Sequence, residues 1–98
     1  MTPLLPFTVI LVDDETDFLS AAAFALRRDG ITNVETLADG TKLLPRLAQG
    51  GCGVLVLDMT MPHVTGKELL EIVVQEYPEI AVLMITAMNR PAIAGKKY

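Results

Sequence analysis

The sequence predicts an α/β fold built on a parallel β-sheet in three layers, and three observations predict it. Apolar, β-rich runs alternate with amphipathic segments of helical period along the whole chain. The runs at 7–12 (FTVILV) and 80–86 (IAVLMIT) are continuously apolar up to their last residues. That is the pattern of strands buried on both faces, as in a parallel sheet. Glycines and a proline (Gly30, Gly50, Gly51, Pro78) fall where helical segments should stop. Strict strand–helix alternation implies right-handed crossovers between parallel strands.

The elements follow in order. Residues 7–12 form the first strand. Residues 18–29 form a helix with Leu19, Ala22, Ala23 and Leu26 on one face, ended by Gly30 as a C-cap glycine. Residues 34–38 form a short second strand. Residues 40–48 read as a second helix closed by Gly50 and Gly51. Pro45 is tolerable there only in the first turn, because an interior proline costs about 3 kcal/mol. Residues 54–57 form the third strand. Residues 65–77 form a helix with Leu69, Leu70, Val73 and Val74 on one side, and Pro78 terminates it. Residues 80–86 are the fourth strand. Residues 89–98 remain, and Pro91 could open a short helix.

Length and composition limit the function classes. A chain of 98 residues is one small domain, and a hydrophobic fraction of 51% argues against disorder. No apolar run approaches the roughly 20 residues of a membrane-spanning helix, and the N-terminus lacks the pattern of a secretion signal. The single cysteine, Cys52, excludes an internal disulfide and fits a cytoplasmic protein. It sits in a Gly-Gly-Cys-Gly stretch and reads as a structural loop residue. A net charge of −4 gives no footprint for nucleic acid or an acidic membrane surface.

The acids are unevenly spread. Asp13, Asp14, Glu15 and Asp17 crowd the exit of the first strand, and Asp58 ends the third. Ligands on parallel sheets bind beyond the carboxyl ends of the strands. If strands one and three are neighbours, three carboxylates meet there. Bare, they repel one another; a hard divalent cation removes that cost. Mg²⁺ prefers oxygen ligands and keeps several waters, so such a site could also hold an incoming phosphoryl group. Thr86 brings a hydroxyl to the same edge. Taken singly, an aspartate after a strand is most often a turn former or helix cap. The conjunction of an acid pair, a third acid and a hydroxyl after three different strands favours a site.

Three segments, ILVDDE (10–15), VLVLDMTMPHVTG (54–66) and VLMITAM (82–88), resemble the receiver domain of two-component response regulators in order and spacing. The resemblance covers residues 7–88 and leaves 89–98 as a divergent tail. It implies a flavodoxin-like receiver fold with strand order 2-1-3-4 and one domain over 1–98. It also implies a phosphoacceptor, Asp58, phosphorylated by a sensor histidine kinase. Asp14 would bind Mg²⁺ directly, Asp13 mainly through water, and the backbone carbonyl of Thr60 would be a further ligand. Thr86 would be the switch hydroxyl. Met61, Pro62 and Gly66 would shape the loop over the site, and Ala87 would leave access to the acceptor. The module would not be an enzyme beyond its own phosphoryl transfer and hydrolysis. His63, the only histidine, reads as an exposed loop residue rather than a phosphoryl relay.

The sequence departs from the family after Thr86. Family receivers carry a fifth strand, a fifth helix and a lysine at the end of that strand, and residues 87–98 are too few for them. Lys96 or Lys97 could stand in for the lysine; Lys42 and Lys67 are poorer candidates. The reading is therefore of a receiver truncated after strand four. The alternative is a phosphorylation-impaired, receiver-like interaction module. Strand four would be an open, uncharged edge, which predicts a homo-oligomer formed through it. Aspartyl-nucleophile phosphatases of the haloacid-dehalogenase type need an acid two residues after the nucleophile. Thr60 stands there instead, so that enzyme reading is set aside.

Overall fold

The computed structural model describes residues 7–59, 61 and 66–85. Four parallel strands form one sheet in the order β2-β1-β3-β4. They are β1 (Thr8–Val12), β2 (Val34–Leu37), β3 (Cys52–Asp58) and β4 (Ala81–Ile85). The helices α1 (Thr16–Arg28), α2 (Leu43–Leu47) and α3 (Gly66–Glu76) connect them. The predicted fold class and strand order are those observed.

Because successive side chains of a strand face opposite ways, the sheet has two apolar faces. Ile10, Val12, Leu55 and Leu57 pack with Leu43 and Leu47 of α2, Leu69 and Val73 of α3, Met61 and Ile80. On the opposite face, Val9, Leu11 and Val34 pack with Leu19 and Ala23 of α1. Helix α1 lies over the β1–β2 half of this face. Beside it, an apolar cleft of about 380 Å³ runs to Leu83 on β4 and is lined by Phe7, Val9, Leu26, Ile31, Val54 and Val56.

Helix α1 ends as its sequence dictates. Gly30 has φ +98°, the Gly30 N–H donates to Arg27 O, and the Ile31 N–H donates to Leu26 O. This is the paired-bond glycine stop. Leu26 and Ile31 both pack against the apolar cluster on this face. The helix begins at Thr16, two residues before the expected start, because Glu15 has already taken the extended conformation of an N-cap.

Two expectations need correction. The second helix is not continuous over 40–48: a 3-10 turn at Gly40–Lys42 precedes α2, which spans only Leu43–Leu47. Asp39 caps the 3-10 turn by accepting from the Thr41 N–H at 2.9 Å. The break places Pro45 in the first turn of α2, where its missing N–H has no helical acceptor to lose. Cys52, expected in a loop, is the first residue of β3 and pairs with Thr8. The ladder starts early because the Thr8 N–H donates to Gly51 O at 2.7 Å. Partial burial pushes the Cys52 thiol above its ordinary range, which disfavours the thiolate. Among the described residues, no helix is long and apolar enough to cross a membrane.

Candidate functional site

The register of the sheet builds the site. Val12 of β1 lies opposite Leu57 of β3, and the residue after each is an aspartate, Asp13 just past β1 and Asp58 at the end of β3. Asp13 and Asp58 are therefore brought side by side at the carboxyl edge. Both are buried, at 1% and 2% exposure, whereas Asp14 is exposed. One carboxylate oxygen from each of Asp13, Asp14 and Asp58 lies within 4.8 Å of the others. The expected convergence of the three acids is present.

Local bonds hold the acids in place. The Asp13 N–H continues the β1–β2 ladder to Leu37 O at 3.1 Å. Asp13 Oδ1 accepts the Glu15 N–H at 2.8 Å, which turns the chain into α1. Asp13 is thus a turn former and a member of the acid cluster at once. Asp58 is the last residue of β3. Beyond it, the Met59 N–H donates to Ile85 O at 2.8 Å, and Met59 O accepts the Gly66 N–H at 3.1 Å. The backbone just after Asp58 is held from β4 on one side and from α3 on the other.

The donor set suits a hard cation. All three side chains offer oxygen, as Mg²⁺ demands, and burying two like charges together is costly without a counter-charge. The exposed Asp14 leaves room for waters on the solvent side, where an open cleft is lined by Asp14, Glu15, Thr16, Asp17 and Phe18. The residues fit Mg²⁺.

Of the remaining expected site residues, Met61 is buried in the core, and Lys42 and Lys67 are exposed. Thr60, Pro62, His63, Thr86, Ala87, Pro91, Lys96 and Lys97 lie outside the described residues. The sequence alone missed how closely Gly66 is tied to Asp58. The available signal was a glycine opening a helix, where a residue with a side chain would ordinarily serve.

The model of the response regulator receiver domain family matches residues 9–97. The chain belongs to that family. This receiver is 37% identical over 81 residues to the chemotaxis protein CheY of Pseudomonas aeruginosa, covering 81% of the chain and 65% of that protein. It is 34% identical over 84 residues to the probable transcriptional regulatory protein TcrX of Mycobacterium tuberculosis, covering 86% of the chain and 36% of that protein. The chain therefore spans less than two thirds of either relative. Among solved structures, the response regulator protein TrrA of Thermotoga maritima, in complex with Mg(2+)-BeF, shares the fold. Its TM-score is 0.77 at 22% identity, over 83% of the receiver and 70% of TrrA.

Proposed function

We propose that this receiver is a cytoplasmic phosphoacceptor that takes a phosphoryl group from a histidine kinase onto Asp58, with Mg²⁺ held by Asp13, Asp14 and Asp58. The observation that carries the reading is the meeting of these three carboxylates within 4.8 Å at the end of β3. A carboxylate oxygen of Asp58 forms a new P–O bond as the P–N bond to the kinase's imidazole breaks, and the imidazole keeps the bonding pair. Asp58 needs no general base, since a carboxylate is already the nucleophile. Burial of Asp58 and Asp13 fixes the direction of approach. When bound, Mg²⁺ supplies neutralisation of the charge on the transferring group. In this reading, the backbone carbonyl of Thr60 adds a metal ligand and Thr86 supplies the switch hydroxyl. The acyl phosphate is a labile mixed anhydride, suited to a signal that decays, so the module acts as acceptor rather than as a turnover enzyme. The Mg(2+)-BeF complex of the fold neighbour TrrA supports the cation assignment.

The test is incubation with acetyl phosphate and Mg²⁺ followed by intact-mass measurement. The expected result is a gain of one phosphoryl group, abolished by chelation and by Asp58→Asn. No gain at millimolar acetyl phosphate overturns the reading.

That outcome would favour the second reading, an interaction module that self-associates through β4. Leu83 on this strand is 59% exposed, and among the described residues no strand pairs with the outer edge of β4. An open apolar edge is a pairing hazard. A stable monomer in sedimentation at tens of micromolar would refute it.

A further inference from the structure

We infer that Gly66 is a positioning residue for Asp58: the absence of a side chain at the start of α3 sets where the phosphoacceptor carboxylate stands. The inference rests on the reading of the acidic pocket as a cation site. A Cβ built on Gly66 would overlap the carbonyl oxygen of Asp58 and lie 2.6 Å from Met59 Cα and 2.9 Å from the Asp58 carbonyl carbon. These partners are all backbone, so no rotamer change relieves the overlap. Among the described residues, hydrogen bonds on both sides resist the shift. The Met59 N–H is bonded to Ile85 O, Met59 O is bonded to the Gly66 N–H, and Asp58 itself lies in register with Ile85. Any side chain at position 66 must push α3 away from β3 or push the Asp58–Met59 peptide toward β4. Either route disturbs the acid that must stand within one cation's reach of Asp13 and Asp14.

Gly53 provides the control. A Cβ there would also overlap a neighbour, but that neighbour is the Phe7 side chain. Gly53 lies five residues before Asp58, about 17 Å along the strand. Gly66→Ala and Gly53→Ala should both reduce stability, and only the first should reach the pocket.

The experiment compares the 98-residue chain with G66A and G53A. Backbone amide NMR of the metal-free proteins and Mg²⁺ titrations are the two readouts. In G66A, the Asp58 and Met59 amides shift and the Mg²⁺ dissociation constant rises about tenfold or more, the range found when residues orienting metal ligands are lost. In G53A the dissociation constant stays within about twofold, a difference of roughly 0.4 kcal/mol. A folded G66A that binds Mg²⁺ within twofold of the parent overturns the inference.

If the parent chain binds no Mg²⁺, the cation reading fails, and the metal-free Asp58 shifts alone decide the positioning role. If G66A does not fold, amide exchange of Gly66 in the parent decides. Slowing on addition of Mg²⁺ supports the coupling, and an unchanged rate overturns it.

Discussion

At its amino end, β3 begins with Cys52 and Gly53, packed against Thr8 and the Phe7 ring. At its carboxyl end, it finishes with Asp58, against Asp13 on one side and the backbone of Gly66 on the other. Both ends require a glycine where a Cβ would not fit. The amino end meets the Phe7 side chain from its Cβ outward and carries a half-buried thiol. The carboxyl end meets backbone held in two hydrogen bonds and carries a buried carboxylate. Between them, Leu55 and Leu57 are fully buried. The contrast teaches that one strand can be closed by a side chain at one end and by hydrogen-bonded backbone at the other, and that chemistry sits at the backbone-held end because ligand geometry must be fixed there.

The largest effect expected from breaking this contrast is at Asp58. Asp58→Asn should abolish phosphoryl gain from acetyl phosphate altogether. It should also stabilise the metal-free protein by about 1 kcal/mol, because it removes one of three mutually repelling charges in a largely buried pocket. Thermal unfolding in chelator reads the second effect, and a lower melting temperature would show that other contacts of Asp58 outweigh the repulsion.

Next come Leu55→Ala and Leu57→Ala, each expected to cost about 2–5 kcal/mol in denaturant unfolding. Similar losses at the two positions would sharpen the contrast by showing that the ends differ in chemistry rather than in packing. A much smaller loss at Leu57 would break it.

The smallest effect lies on the neighbouring edge, where Arg46 of α2 bonds Glu35 of β2 at 2.7 Å and 3.1 Å. The hydrogen bond from Arg46 holds the Glu35 carboxyl below its usual value. A depressed carboxylate contributes stability above its unfolded pKa and loses it as pH falls through the folded one. Glu35 is nearly half exposed, so the contribution is at most about 1 kcal/mol. Glu35→Gln should therefore be less stable than the parent at pH 7. The difference should shrink once pH drops below the ordinary carboxylate value of 4.5. A pH-independent difference would assign the loss to packing.

Much of this molecule was legible before any coordinates. Apolar runs marked β1, β3 and β4, but only β1 is buried along nearly its whole length; β2 carries the exposed Glu35 and Thr36, and β4 leaves Leu83 59% exposed, because both are outer strands of the sheet. Gly30 marked the end of α1 and Gly50 and Gly51 the end of α2, because each takes a positive φ that a glycine adopts most readily. The acid cluster was legible as a conjunction at strand ends. The short α2 was less so: Pro45 signalled trouble, but whether the chain breaks before it depends on Asp39 capping a separate turn. Cys52 was misplaced because a Gly-Gly-Cys-Gly stretch looks like a loop until its pairing with Thr8 is known.

The sequence by itself determined the order of elements, the apolar faces and the presence of three acids at strand ends. These depend on local periodicity and turn chemistry. Only the tertiary structure decided that Asp13 and Asp58 stand opposite one another, that Asp14 comes within reach of both, and that Gly66 presses on the backbone behind Asp58. The first joins strands far apart along the chain, and all three are set by strand register and helix packing rather than by local sequence pattern.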